Sequence, residues 1–410
     1  MGRLLAAALI AVALVAGANA AEFRRGVGLH TLMNWATPDL SSPQRFARPP
    51  FSPPRHDISE TLLDNLREAG FDFIRLTVDP GPFLTFRGAD REALDETLKA
   101  NVLRLAGHGF GVVVDFHPNR QIAGLDPISL LKDERGGRFD DLVAVLARTA
   151  KVLAGLGLDD IALEALNEPP YGYNPREVAR WQRMLERIHA AIRREAPQLT
   201  IVLSGARGGG IRGLTEIDAA PFNDGRTLFS FHYYDPFSFT HQGVKGDTDF
   251  MRPLRYFANV PYPAGSVAAE TVLKGLDLEV EADAGLSPAA RRKALAEARK
   301  RLSDYLASGF GRADIDADFD RVAEWAKDHG IAPEHIFLGE FGAVRSFGPY
   351  RGAEAISYEA WLRDVREAAE ARGFVWSVWS VKSHGGMAMV RDEGSPALDP
   401  VSMRALGMKP

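Results

Sequence analysis

Short apolar runs alternate along the chain with longer segments whose apolar residues recur every three or four positions. The short runs are "RRGVGLH" (24–30), "FDFIRLTV" (71–78), "GVVVDFH" (111–117), "IALEALNE" (161–168), "TIVLSGA" (200–206), "TLFSFHYY" (227–234), "IFLGEFGA" (336–343) and "FVWSVWSV" (374–381). Their length and their β-branched and aromatic content predict strands. Between them lie predicted helices such as "SETLLDNLREAG", "FDDLVAVLARTAKVLAG" and "PREVARWQRMLERIHAAIRREA". The last has Pro175 just inside its start, where the missing N–H costs nothing. Eight strands, mostly followed by helices, predict an α/β fold with a parallel sheet and helices outside it. The count of eight favours closure into a (β/α)8 TIM barrel over an open doubly wound sheet. No glycine-rich dinucleotide loop follows the first strand, and "GARGGG" after the fifth lacks the lysine and spacing of a phosphate loop.

Two stretches interrupt the alternation. "ATPDLSSPQRFARPPFSPPRH" after strand one, with six prolines, predicts a long semi-rigid loop. A second, partly helical insertion runs from about 235 to 317 after strand six. It contains "SPAARRKALAEARKRLSDYLASG", a predicted helix with Ser287 as N-cap and Gly309 just past its end. In a barrel both interruptions follow strands and lie on the face where active sites are built. Residues near 235–262 are therefore expected to border a groove, with the helix 287–308 as a flank. Neither an internal repeat nor a second module is evident, so 21–410 reads as one domain.

The first twenty residues, "MGRLLAAALIAVALVAGANA", carry an early arginine, an apolar run and a final Ala18-Asn19-Ala20. This is the pattern of a secretory signal peptide, too short for a spanning anchor. The expectation is a secreted or periplasmic protein, free of the membrane after cleavage and monomeric. A formal charge of −5 offers no basic field for nucleic acid. With no cysteine there is no disulfide, no thiolate chemistry and no Cys-type zinc site.

The predicted strands deliver polar groups at their C-terminal ends: Arg75, then Asp115 and His117, Asn167 and Glu168, His232 and Tyr234, Glu340, and Trp379. Parallel strands bring such tips into one ring. Two glutamates at opposed strand ends suit glycoside hydrolysis, in which one carboxylic acid protonates the leaving oxygen and the other carboxylate attacks or activates water. Their protonation states must differ at one pH. Asn167 is placed to hold the sugar hydroxyl beside the reacting carbon, and Arg75 to keep Glu340 ionised.

These residues resemble family 5 of the glycoside hydrolases, the cellulase family in the clan of retaining (β/α)8 glycosidases. "LNEP" resembles the acid/base motif, which places that role on Glu168 with Asn167 as partner. "FLGEFGA" resembles the nucleophile strand, which places the nucleophile on Glu340. "IRLTV", "VVVDFHP" and "FSFHYYDPF" are similar to the arginine, histidine and His-x-Tyr motifs of strands two, three and six. "VWSVWSVKSHGG" resembles the strand-eight segment whose tryptophan floors the reacting sugar, a role falling on Trp379 rather than Trp376. The resemblance implies Arg75, His117, Asn167, His232, Tyr234 and Trp379 as substrate-binding residues, no cofactor and no metal. It further implies double displacement on a β-linked polysaccharide or oligosaccharide, first of all an endo-β-glucanase. An exo-acting β-glucosidase or β-1,3-glucanase, a mannanase and an enzyme trimming a bacterial exopolysaccharide stay open, because the two long loops depart from the pattern. His30, Asn34 and Trp35 stay open between sugar contact and packing. Trp181, Trp325 and Trp361 fall in helix patterns and are expected to pack. Two rival classes are a metal-dependent barrel hydrolase built on His30, His117 and His232, and an inactive sugar-binding barrel.

Overall fold

The computed structural model describes residues 23–409 except 347, 349, 383–385, 391 and 393; the leader-like residues 1–20 lie outside the described residues. Eight strands form the barrel: β1 (Arg25–Met33), β2 (Phe73–Val78), β3 (Gly111–Phe116), β4 (Ile161–Glu164), β5 (Thr200–Ser204), β6 (Thr227–Tyr233), β7 (Ile336–Phe341) and β8 (Val375–Val378). Each pairs with its sequence neighbours, and β8 pairs back onto β1 in parallel, closing the ring. The (β/α)8 TIM barrel expected from the alternation is the fold observed. Because both faces of these strands are covered, they read as nearly continuous apolar runs.

Inside the ring two layers of opposite character are stacked. Phe73, Val113, Ala162, Val202, Leu228, Phe337 and Val375, capped by Phe23, form a dry floor separate from the main core. Gly26 makes room for it, since a Cβ there would sit 2.3 Å from the Phe73 ring. Side chains two residues further along a strand point the same way, and here they are Arg75, Asp115, Glu164, Ser204, Ser230, Gly339 and Ser377. The polar members of this second layer are all buried. Residues of the opposite parity, such as Ile74, Leu76, Val112, Val114 and Leu163, pack outward against the helices.

The helices follow local rules. Asn174 caps Pro175–Glu195 by accepting from the Glu177 N–H, and Trp181, Leu185, Ile188 and Ile192 face the sheet. Trp325 and Trp361 are buried in the same way. In the proline-rich loop Phe46 and Phe51 are buried, and Pro38 bridges Phe46. The insertion after β6 holds the helix Pro288–Ser308, capped by Ser287 and ended by Gly309 at φ 66° as the sequence predicts. It also holds Ala269–Ala282, which the sequence reading missed and which buries Val272, Leu276 and Val280.

Candidate active site

Arg75 occupies the centre of the polar layer and is wholly buried. Its Nε and Nη2 donate to the two oxygens of Glu164 at 2.7 and 2.9 Å. Nη1 donates to Glu340 Oε1 at 2.5 Å, and Nη2 also reaches Asn167 Oδ1 at 2.9 Å and Asp115 Oδ2 at 3.0 Å. Burial opposes the charge, but Asp115, Glu164 and Glu340 together keep the guanidinium protonated. Its whole surface is covered by these carboxylates and their neighbours. What it touches at the mouth is Glu340 and Asn167.

Glu340, near the end of β7, is also buried. Its Oε2 accepts from the Tyr234 hydroxyl at 2.8 Å and lies 3.6 Å from His232 Nδ1. Burial alone would raise its pKa, but His232, Arg75, His117 and the Tyr234 hydrogen bond outweigh it and hold the carboxyl at about 2. Burial and the carboxylates of Glu340 and Glu168 keep Tyr234 a neutral donor. A carboxyl so surrounded stays charged at neutral pH although it is almost wholly buried.

Glu168 contrasts with it. β4 ends at Glu164, and the chain leaves the ladder before Asn167, whose N–H is still tied to Phe116 O at 2.9 Å. At Glu168 the backbone turns left-handed, φ 43°, a conformation that costs a non-glycine residue about 1–2 kcal/mol. The turn lifts the side chain into the mouth, where it is 41% exposed, and leaves its Oε1 3.0 Å from His232 Nδ1. His232 is buried, which lowers its basicity, but the charges of Glu340 and Glu168 raise its pKa overall. Gly209, whose carbonyl accepts from the His232 N–H at 2.8 Å, lies directly beside both side chains.

His117 Nδ1 lies 2.8 Å from Asp115 Oδ2, and its Nε2 is 3.3 Å from the Asn167 amide nitrogen. Burial lowers its pKa, but Asp115 and Glu340 reverse the shift. Half-buried Trp379 stacks on His117 at 5.7 Å and meets His30 edge-on at 4.7 Å. Trp376 is wholly buried against Phe71 and Phe341. His30 Nδ1 faces Thr77 Oγ1 at 3.1 Å, and its Nε2 accepts from Trp35 Nε1 at 2.8 Å. Asn34 is buried beneath them, so this trio props the Trp379 side of the mouth.

Among the described residues, Glu168, His232 and Glu340 are the group whose possible metal-ligand atoms converge, all within 4.8 Å of one another. His30, His117 and His232, the trio of the metal-hydrolase rival, do not converge. Sequence reasoning missed Glu164. Its signal was present, a lone charge inside the apolar run "IALEAL", four residues before Glu168. Burial raises the Glu164 pKa, Asp115 adds to the rise, and Arg75 opposes it.

Two opposed carboxylates above a buried arginine, reached through the C-terminal mouth of a barrel, define a glycosidase-type site. The chain matches the family model Cellulase (glycosyl hydrolase family 5) over residues 45–385 and belongs to that family. Endoglucanase 3 of Fibrobacter succinogenes is 22% identical over 79% of this chain and 46% of its own length. Cellodextrinase A of Ruminococcus flavefaciens is 25% identical over 47% of this chain and 56% of its own. The chain thus spans about half the length of the curated relatives it matches. Among solved structures, the cellulose synthase subunit Z from Clostridioides difficile shares the fold, with 21% identity and a TM-score of 0.62 over 94% of this chain and 99% of that one.

Proposed function

We propose that the protein is a retaining β-glycanase, first of all an endo-β-glucanase, with Glu340 as nucleophile and Glu168 as acid/base. The carrying observation is that carboxylate oxygens of the two residues lie within 4.8 Å of each other. Retaining pairs stand about 5–5.5 Å apart, whereas inverting pairs need about 6.5–9.5 Å to admit a water. In the first step Glu340 attacks the anomeric carbon while Glu168 gives its proton to the leaving oxygen. In the second Glu168 takes a proton from water, which displaces Glu340. Tyr234 and Arg75 hold the nucleophile, His232 stands between the two carboxylates, Asn167 and His117 face the sugar, and Trp379 is its floor. Membership of the cellulase family supports β-glucan as substrate.

Proton NMR of the first product, before mutarotation, tests the mechanism: a β-linked substrate should release the β-anomer. Release of the α-anomer would remove Glu340 as nucleophile. Product profiles on β-glucans, mannan and xylan test the substrate. The leader-like N-terminus supports export, with a mature chain beginning at Ala21. N-terminal sequencing of secreted protein that still carried Met1 would refute it. Export also supports a second reading, trimming of a polysaccharide that the cell itself secretes.

A further inference from the structure

The insertion after β6 adds a second hollow beside the catalytic mouth. Glu168, Tyr234 and Phe237 line a first cavity of about 320 Å³, together with Arg207 and Asp318. Neither Trp379 nor His30 lines it, so it lies on the side of Glu168 away from the sugar floor. Since Glu168 protonates the leaving oxygen, this is the side toward which a leaving group departs. Next to it, Pro236, Ser238, Phe250, Arg301 and Asp304 line a cavity of about 600 Å³ between the insertion loop and the helix Pro288–Ser308. Consecutive residues Pro236 and Phe237 form the wall between the two.

Aromatic rings connect them. Tyr234 and Phe237 have centroids 6.3 Å apart, and Phe237 meets Phe250 edge-on at 5.3 Å. Phe237 is backed by His241, stacked at 4.5 Å, whose pKa burial and then Arg301 depress to about 4, so the backing ring is neutral in ordinary conditions. Phe250 is 54% exposed yet firmly mounted. Arg301 lies over its ring at 4.2 Å, and Arg301 Nη1 donates to the Phe250 carbonyl. Arg301 is half-buried with no carboxylate partner among the described residues; its one other contact is Nε to Ser238 Oγ at 3.4 Å. A guanidinium carries five N–H donors, so most of these remain available to the cavity. A fixed exposed ring beside unspent donors is what a sugar requires, with C–H faces to stack and hydroxyls to bond.

We propose that Phe237, Phe250 and Arg301 form an additional binding site for the leaving-group side of a β-linked glucan chain, beyond the sugar unit next to Glu168. The inference rests on the retaining-glycanase reading above. It gives the helix Pro288–Ser308 a substrate contact through Arg301, where the sequence predicted a flank alone.

The test compares two substrates in the full-length enzyme. One is an aryl β-glycoside, whose short leaving group ends beside Glu168; the other is an oligosaccharide extending several units past the cleaved bond. Phe250→Ala removes an exposed ring, so the melting temperature should hold. The expected result is a fall in kcat/KM of about tenfold on the oligosaccharide, mainly through KM, and of less than about twofold on the aryl glycoside. Arg301→Lys should show the same direction with a smaller effect. Equal kcat/KM for wild type and Phe250→Ala on the oligosaccharide would overturn the proposal, as would equal losses on both substrates. Failure of the wild type to cleave either substrate would instead remove the glycanase reading on which it rests.

Discussion

Glu340→Gln isolates the electrostatics of the nucleophile, because the amide keeps the shape of the side chain and an acceptor for Arg75 but cannot ionise. The Glu340 carboxyl is held at about 2 against an ordinary 4.5. Each unit of such a difference corresponds to about 1.4 kcal/mol, so about 3 kcal/mol of folding stability rests on this one charge at neutral pH. The sign follows from the direction. A carboxyl depressed by folding contributes fully above 4.5 and loses its contribution as pH falls toward 2. Between about pH 5 and pH 3 the wild type should therefore lose about 2 kcal/mol that the glutamine variant, which has nothing to protonate there, retains. Urea unfolding followed by tryptophan fluorescence across this interval measures both. Parallel stability curves would refute the reasoning, because the fold would then place no special demand on the charge at 340. Loss of catalysis in the variant is expected either way and does not decide the matter.

Glu168→Ala should reduce turnover far less on substrates with activated leaving groups than on oligosaccharides, because the former need little protonation. Added azide should restore activity and yield a β-glycosyl azide; recovery of the α-azide would refute the roles assigned. Gly339→Ala would place a Cβ 2.6 Å from Ser230 Oγ and 3.0 Å from His232 Nε2. It should lower kcat by about tenfold or more by displacing His232 from between the carboxylates, and adding Ser230→Ala should recover part of the loss. Unchanged kcat in Gly339→Ala would show that His232 has slack in its place.

The barrel was legible because its strands are apolar on both faces and its helices on one, a contrast that periodicity detects directly. The cluster of polar groups at the mouth was legible where a polar residue ended an apolar run, as at Glu340 and His232. Legibility failed at Glu164, which lies sealed beside Arg75. Strand alternation shows that a charge points inward but not how deep it sits, and one pleat separates a group at the mouth from one sealed beneath it. The actual end of β4 was hidden too, because the left-handed turn at Glu168 depends on contacts with the distant segment around Gly209. Ala269–Ala282 escaped because its charged and apolar residues are mixed and no capping residue marks its start; Ala268 supplies no side-chain bond.

Among the described residues, the apolar floor below Arg75 makes the barrel a vessel closed at one end. Phe23 and the ring of apolar side chains close the far end, so in the proposed reaction sugar and water would enter by the mouth above Glu168. The order of traffic is then imposed by space. In the proposed double displacement the leaving group must vacate the first cavity before a water can stand beside Glu168 to release the sugar from Glu340. Any second sugar that lingers there competes with that water for the same place. Crowding at high substrate concentration should therefore divert part of the flux from hydrolysis into chain transfer, to an extent set by the site proposed at Phe237, Phe250 and Arg301.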